Sequence, residues 1–439
     1  MKAKLIPVYF QTGLNPDFEK QVEILRNLLG EEADIGEPMA LGSPLPEADA
    51  VVFPQMLGDA YRQLAAIKQI TVPLLIATSE FGTVSMWDWE ILSYLESEGV
   101  HSLTPYNLEE AKQLCRGLLV KRQLKSSKLL VFQDNPGVGQ QASIFKRFYW
   151  WEAECTQRIM EKFGVSVVRK SFKEFGEYAK QIPDREAEEE WKKWQRTVDG
   201  VSARALSSAV KIFIAVKREI DREENVIGVG INCLNESHFS DTTPCLAWDM
   251  LYEERGLIWG CEADTMSMLT KYILNKALGV PIMMTNLYPF LMGQAALKHE
   301  KIDRFPEVVK DPENCILVAH CGFLGVLPKS FSSEWTLRPK VLGIVDENAT
   351  AIDARLPIGE VTLAKLGPTL DNMTVAEGQL EGYVQYPGSD CRNGGVIRVK
   401  DGRRMVNKLA SHHYLLMTGH HLQNISSISK IFKFEVEEI

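Results

Sequence analysis

Over the first 120 residues, short apolar runs alternate with segments of helical spacing. KLIPVYF, ADAVVFPQ and VPLLIATS read as strands. Between them, DFEKQVEILRNLLG places Val22, Leu25 and Leu28 on one helical face, and Gly30 follows as a stop. DAYRQLAAIKQI, MWDWEILSYLESEGV and a stretch from Leu108 to about Arg122 also read as helices. Strands alternating with helices predict a parallel sheet covered on both faces. Ligands of such sheets lie at the carboxyl ends of the strands, which makes Pro54-Gln55 and Ser79-Glu80 pocket-lining candidates.

The polar link VKRQLKSSK then leads into a new strand, LLVFQD, and marks a boundary. DNPGVGQ follows as a glycine-containing strand-to-helix turn. Its backbone N–H groups could hold an anion, although neither a P-loop nor GxGxxG is present. From Phe145 to Val210 the chain reads as largely helical, with a charged face around DREAEEEWKKWQR. NVIGVGINCL reads as a buried strand, AWDMLYEERG as a helix and LIWGCEAD as a strand entering a turn. TMSMLTKYILNKALG reads as a helix, and VPIMMTNLYPF as another strand of this region.

From about Glu313 the period shortens. CILVAHCGF, KVLGIVD, ATAIDARL, GEVTLAKLG, MTVAEGQLEGYVQY, GGVIRVKDG and ISKIFKFEVEEI read as short strands parted by turns, the pattern of a barrel or sandwich. A chain of 439 residues exceeds one core. The fold expected is two doubly wound α/β parallel-sheet domains, 1–125 and 126–310, followed by a C-terminal β-barrel-like domain, 311–439.

Composition removes some function classes. A net charge of −9 without a long basic run argues against a nucleic-acid binder. MKAKLIPVYFQTG reads as a first strand rather than a signal peptide, and no stretch reaches the roughly 18 apolar residues of a membrane span. Eight cysteines without a CxxC pair read as reduced thiols, so the protein is expected to be cytoplasmic.

Candidate chemistry gathers in a few places. Four of the eight histidines, His412, His413, His420 and His421, fall within one short stretch, suited to metal binding or proton transfer, or else to a polar loop. Glu262 follows the apolar strand LIWGC, where a buried carboxylate needs a partner or a cation. Asp264 opens a helix and could be its N-terminal acid. Asn286 ends IMMTN, where Asn is commonly a cap. His320 ends CILVA as a core or pocket residue. Adjacent residues of a strand face opposite sides, so His320 and Cys321 make a poor nucleophilic pair.

Several segments, taken in order, resemble the L-fucose isomerase-like branch of the fucose/arabinose isomerase superfamily over nearly the whole chain. They are Gly230-Ile231-Asn232-Cys233-Leu234, Pro244-Cys245, Gly256-Leu257, Cys261-Glu262-Ala263-Asp264, His320-Cys321-Gly322, Gly359-Glu360-Val361-Thr362-Leu363-Ala364, and His413 before Gly419-His420. The resemblance implies an aldose–ketose isomerase using Mn2+, or another divalent cation such as Mg2+ or Co2+, in carbohydrate metabolism. Its metal would polarise the sugar carbonyl and a neighbouring hydroxyl, and a carboxylate would move a proton between C1 and C2 through an enediol. By resemblance Glu262, Asn286 and His413 take the metal positions, with His412 the rival of His413. Glu262, Asp264 and Asn286 take the catalytic ones. His320 would lie close to the substrate, as would His412 and the polar cluster that includes Glu236 and His238, beside Asp241. Relatives imply a homo-oligomer, a trimer or hexamer, with sites at subunit interfaces.

One departure stands out. Asn286 falls where relatives carry a second carboxylate, and an amide cannot serve as a base at neutral pH. Either Glu262 or another acid, such as Asp264 or Glu334, does all the proton transfer, or the scaffold serves another role. Those roles would be a sugar-acid lyase or hydrolase, or a non-catalytic sugar-binding protein.

Overall fold

The computed structural model describes residues 1–10, 14–139, 141–289, 310–320, 324–340, 346–384 and 394–439. The chain divides into two compact units. Met1–Lys125 joins Lys276–Gly279 and Gln423–Val436 in the first, and Ser126–Asn275, Val280–Leu422 and Glu437–Ile439 form the second.

The first unit is built on parallel strands β1 (Ala3–Tyr9), β2 (Ala33–Ile35), β3 (Met39–Ala40), β4 (Ala50–Phe53), β5 (Leu74–Ile76) and β6 (Ser102–Leu103), in the order β2-β1-β4-β5-β6 with β3 beside β1. AVVF and LLI are buried throughout, as strands covered on both faces must be. Asn15 caps the helix Pro16–Leu29, its Oδ1 accepting from the Phe18 N–H at 2.8 Å, and Pro16 supplies the preset first position. Pro54-Gln55 and Ser79-Glu80 do follow β4 and β5, but Gln55 pairs with Asn15 and the Ser79 hydroxyl with Thr83. ISKIFKFEVEEI is not one strand. Its first half continues a helix, Leu422–Phe432, whose Ile425, Ile428, Ile431 and Phe432 are buried at helical spacing, and only Glu435–Glu438 is extended, as β19.

The second unit begins with β7 (Lys128–Phe132), β8 (Ser166–Lys170), β9 (Val226–Ile231) and β10 (Ile258–Cys261), a parallel sheet in the order β10-β9-β7-β8. It continues with β11 (Ile282–Pro289), β12 (Cys315–Ala319), the hairpin β13 (Glu334–Pro339) and β14 (Thr350–Arg355), and then β15 (Gly359–Leu366), β16 (Asn372–Val384), β17 (Gly394–Val399) and β18 (His413–Thr418). Six of these close into an antiparallel barrel, β15-β18-β11-β12-β17-β16, with β16 pairing back to β15. Closure leaves no open edge.

The strand of IMMTN therefore belongs to the barrel and not to the central parallel sheet. β11 runs antiparallel to both β12 and β18. A buried apolar run has the same appearance in either sheet type, and the pairing direction decides. KVLGIVD, Cys321-Gly322 and Gln140 of the glycine turn lie partly or wholly outside the described residues.

Candidate metal centre

β10 is a short buried strand, and the chain must turn sharply at its end. It does so with Glu262 and Ala263 both in the left-handed region, φ 54° and 55°. That conformation is costly for residues with a Cβ, and such strain gathers at functional sites. Glycines allow the turn to fold back on the sheet. A Cβ on Gly230 would lie 2.8 Å from Ala263 Cα, and one on Gly260 2.6 Å from Met268 Cγ and 3.0 Å from the Asp264 carbonyl oxygen. We expect Gly260→Val to cost about 1–3 kcal/mol by overpacking. Calorimetric melting should show a lower midpoint.

The turn delivers Glu262 to two barrel histidines. One oxygen or nitrogen from each of Glu262, His320 and His413 lies within 4.8 Å of the others, and all three residues are buried. Glu262 Oε1 is 3.7 Å from His320 Nε2 and 3.8 Å from His413 Nε2. His320 follows β12, and His413 opens β18. Burial lowers the pKa of both imidazoles from 6.5, and the neighbouring His412 lowers His413 further. Both rings are therefore neutral near pH 7, with a lone pair to offer.

A second layer fixes His413. Its Nδ1 lies 2.8 Å from Asp264 Oδ2. Asp264 is fully buried and caps the helix Thr265–Leu278: its Oδ1 accepts from the Ser267 N–H at 2.8 Å, and its Oδ2 from the Ser267 hydroxyl at 2.8 Å. Lys365 Nζ, also buried, reaches Asp264 Oδ2 at 3.3 Å and donates to Ser267 Oγ. Burial opposes the charge on Asp264, but Lys365, His413 and the Ser267 N–H together outweigh it and hold the carboxyl below its ordinary 3.8. Asp264 is thus an ionised cap that orients a histidine. The expectation that it moves protons does not fit a carboxylate so fully engaged.

Tyr149 is the neighbour that sequence reasoning missed. Its ring stacks on His413 at 4.5 Å and 2°, and its hydroxyl donates to Glu262 Oε2 at 3.1 Å. The same hydroxyl lies 3.1 Å from His412 Nε2. Burial, then the charges of Glu262 and Asp264, push the phenol well above 10, so it stays protonated. Burial lowers His412 to about 4. The segment is pinned to the turn, with Thr265 Oγ1 donating to the Tyr149 and Trp150 carbonyls at 2.9 and 3.1 Å and Trp151 Nε1 donating to the Ala263 carbonyl at 3.0 Å. The run Phe148-Tyr149-Trp150-Trp151 was the available signal, too aromatic for a solvated loop.

Asn286 stands opposite His413 in the β11–β18 register, on the same barrel face. Its Nδ2 donates to the Tyr288 hydroxyl at 3.2 Å, and its Oδ1 is buried without a hydrogen bond among the described residues. An orphaned carbonyl oxygen beside two neutral imidazoles and a carboxylate is a donor set that suits a divalent cation. The separations among Glu262, His320 and His413 are of the size that one ion at ~2.0–2.2 Å bond lengths spans after a slight closure. His320 joins this group, where the resemblance had placed it only near the substrate. His413, not His412, contributes the late histidine.

The remaining candidates lie elsewhere. Glu236 is buried, but its oxygens accept from the Asp134 and Asn135 backbone N–H groups at 2.6–3.2 Å. The glycine turn does hold an anion, and that anion is the protein's own carboxylate. His238 is exposed and packs on Phe239 at 4.2 Å. Glu334 is exposed and ion-paired with Arg355, which removes it as a proton carrier for the cluster. His420 and His421 lie near the carbonyls of Gly378 and Thr418. A cavity of about 540 Å3 lies beside the helices Phe172–Lys180, Asp184–Trp191 and Ala203–Asp221 and is lined by none of the cluster residues.

Among the described residues no helix is long and apolar enough to cross a membrane. No family model matches the sequence, and no curated protein matches it. Among solved structures, the chain is similar at 13% identity to an ABC transporter solute-binding protein from Burkholderia multivorans, over 63% of this chain and 96% of that one. The TM-score is 0.15, too low to bear on either fold or function.

Proposed function

We propose that this protein is a divalent-metal-dependent aldose–ketose isomerase acting on a small or modified sugar. The observation that carries the reading is the convergence of Glu262, His320 and His413, with His413 held by Asp264 as metal-binding histidines commonly are. The reaction class rests on the sequence resemblance, and the cluster supports it by supplying both donors and a base. Mn2+, or a similar cation, would be held by Glu262, His320 and His413, with Asn286 Oδ1 close by. When bound, it supplies Lewis acidity to a carbonyl and an adjacent hydroxyl.

The chain's own groups do the rest. Glu262 is the carboxylate placed to take a proton from the carbon between those oxygens. The Tyr149 hydroxyl, donating to Glu262 Oε2, holds that carboxylate in place. The phenol's one proton goes to Glu262, so the neutral His412 meets the same oxygen at 3.1 Å through its Nε2–H and helps to hold it. The turn at Glu262 and Ala263 keeps the base from relaxing away. The first unit exposes the large side chains of Tyr61, Phe81, Trp87 and Trp89, of the kind that subunit contacts cover, which is in keeping with the implied trimer or hexamer.

Incubation of the Mn2+-loaded protein with a panel of pentoses, hexoses and deoxysugars in deuterated water tests the reaction. Deuterium should enter at C1 or C2 of at least one sugar, with aldose and ketose interconverting. Metal-loaded protein that exchanges no carbon-bound hydrogen in any of them would remove the isomerase reading and leave the metal centre.

A further inference from the structure

The carboxyl edge of the central sheet carries more polar side chains than its own hydrogen bonds use. Gln133 and Gln141 are buried, 5% and 2% exposed, and neither the Oε1 nor the Nε2 of either finds a hydrogen-bond partner among the described residues. Buried amides are normally satisfied, so two that are not, on one loop, need an explanation. This loop leaves β7 at Gln133 and arrives at Tyr149, which touches Glu262 and stacks on His413.

Register places Gln133 relative to the metal cluster. Val131, Gly230 and Gly260 are partners across β7, β9 and β10. One residue past the ends of β7, β9 and β10 stand Gln133, Asn232 and Glu262, side by side along the carboxyl edge. Ala263 of the turn folds back onto Gly230 of β9. Gln133 is therefore two strand spacings from Glu262, ~10 Å along the edge. Asn232, fully buried between them, adjoins the Glu236 carboxylate. The sheet edge thus has the Glu262 carboxylate at one position and the unpartnered Gln133 amide two strands away, with Gln141 further along the loop that leaves β7.

We infer that Gln133, supported by Gln141, recognises hydroxyl groups of an open-chain polyhydroxylated ligand whose reactive end lies at the Glu262–His320–His413 cluster. An amide offers two donors and an acceptor, and a hydroxyl offers one donor and takes part as an acceptor, so each satisfies the other. Apolar or singly charged ligands would leave the amides as unsatisfied as they are now. This inference rests on the proposed metal-centred reading for the position of the reactive end, and on the sheet register for the rest.

The test is calorimetric titration of the Mn2+-loaded protein with the unreactive open-chain polyols xylitol and galactitol, repeated without Mn2+. Wild type is compared with Gln133→Met and Gln141→Met, close in volume but lacking the amide. Polyol affinity should fall about tenfold in Gln133→Met, the loss of one well-made hydrogen bond. Mn2+ affinity should be unchanged and the melting midpoint no lower. Wild type that binds neither polyol, or equal affinities in wild type and both variants, would overturn the inference. So would a lowered midpoint in both variants, since the amides would then be serving the fold. A wild type that binds polyol through Gln133 but no Mn2+ would sink the metal-centred reading alone.

Discussion

Glu262→Gln should leave a folded protein that retains no stoichiometric Mn2+ and turns over no sugar. The change removes the only carboxylate of the three-residue cluster. Replacing an anionic ligand with an amide should cost more than the 10–100-fold in affinity typical of losing a residue that merely orients a ligand. Loss of the base alone removes about 10²–10⁴ in rate. Stability should hold or rise, because an amide is cheaper to bury than a carboxylate, and the Tyr149 hydroxyl keeps an oxygen acceptor. Metal analysis after desalting, together with the melting midpoint, checks this. Stoichiometric metal in the variant would refute the assignment of Glu262.

Asp264→Ala should have the largest effect on stability. It strands the Lys365 ammonium in the interior, where Lys365 is 1% exposed and the carboxylate it faces is fully buried. Breaking such a pair from one side costs about 3–5 kcal/mol. Loss of the helix cap at Ser267 adds about 1 kcal/mol. Removing both charges, as Asp264→Ala with Lys365→Met, should recover much of the first loss, and a urea denaturation cycle of the four proteins measures the coupling. The neutral Asp264→Asn should fold better than Asp264→Ala yet bind Mn2+ about 10–100-fold more weakly, because His413 loses the anionic acceptor that orients it. Coupling near zero in the cycle would show that Lys365 and Asp264 do not depend on each other.

Some of this was written plainly in the chain. Strand–helix alternation gave the parallel sheets, and the run of short strands after Glu313 gave the barrel, because both periods follow directly from backbone geometry. Glu262 was legible as a carboxylate after an apolar strand. Its partners were not legible from the residues alone, since His320 and His413 lie 58 and 151 positions later and meet it only through barrel closure; the family resemblance named His413 for the metal but set His320 only near the substrate. Lys365 was overlooked although a lone lysine within VTLAKL is a warning of a buried ion pair. Membership of β11 in the barrel turned on pairing direction, which an apolar run does not encode. Glu236 looked like a substrate contact because a polar loop residue and a buried internal anchor have the same letter.

The division of the chain into units has a consequence for how the protein is made. The first unit includes Gln423–Val436, about 300 residues beyond Lys125. That segment carries helix residues that seal its interior: Ile431 packs against Gly117, where a Cβ would lie 2.6 Å from its Cδ1, and the Lys430 and Ile431 carbonyls meet His101 and Lys121 at 2.7 and 2.8 Å. At ribosomal speeds of about 5–20 residues per second, the opening 125 residues wait tens of seconds for the piece that completes them. During that interval the nascent chain exposes an apolar seam, so yield in the cell should depend on chaperone supply and on elongation rate as much as on the stability of the finished fold.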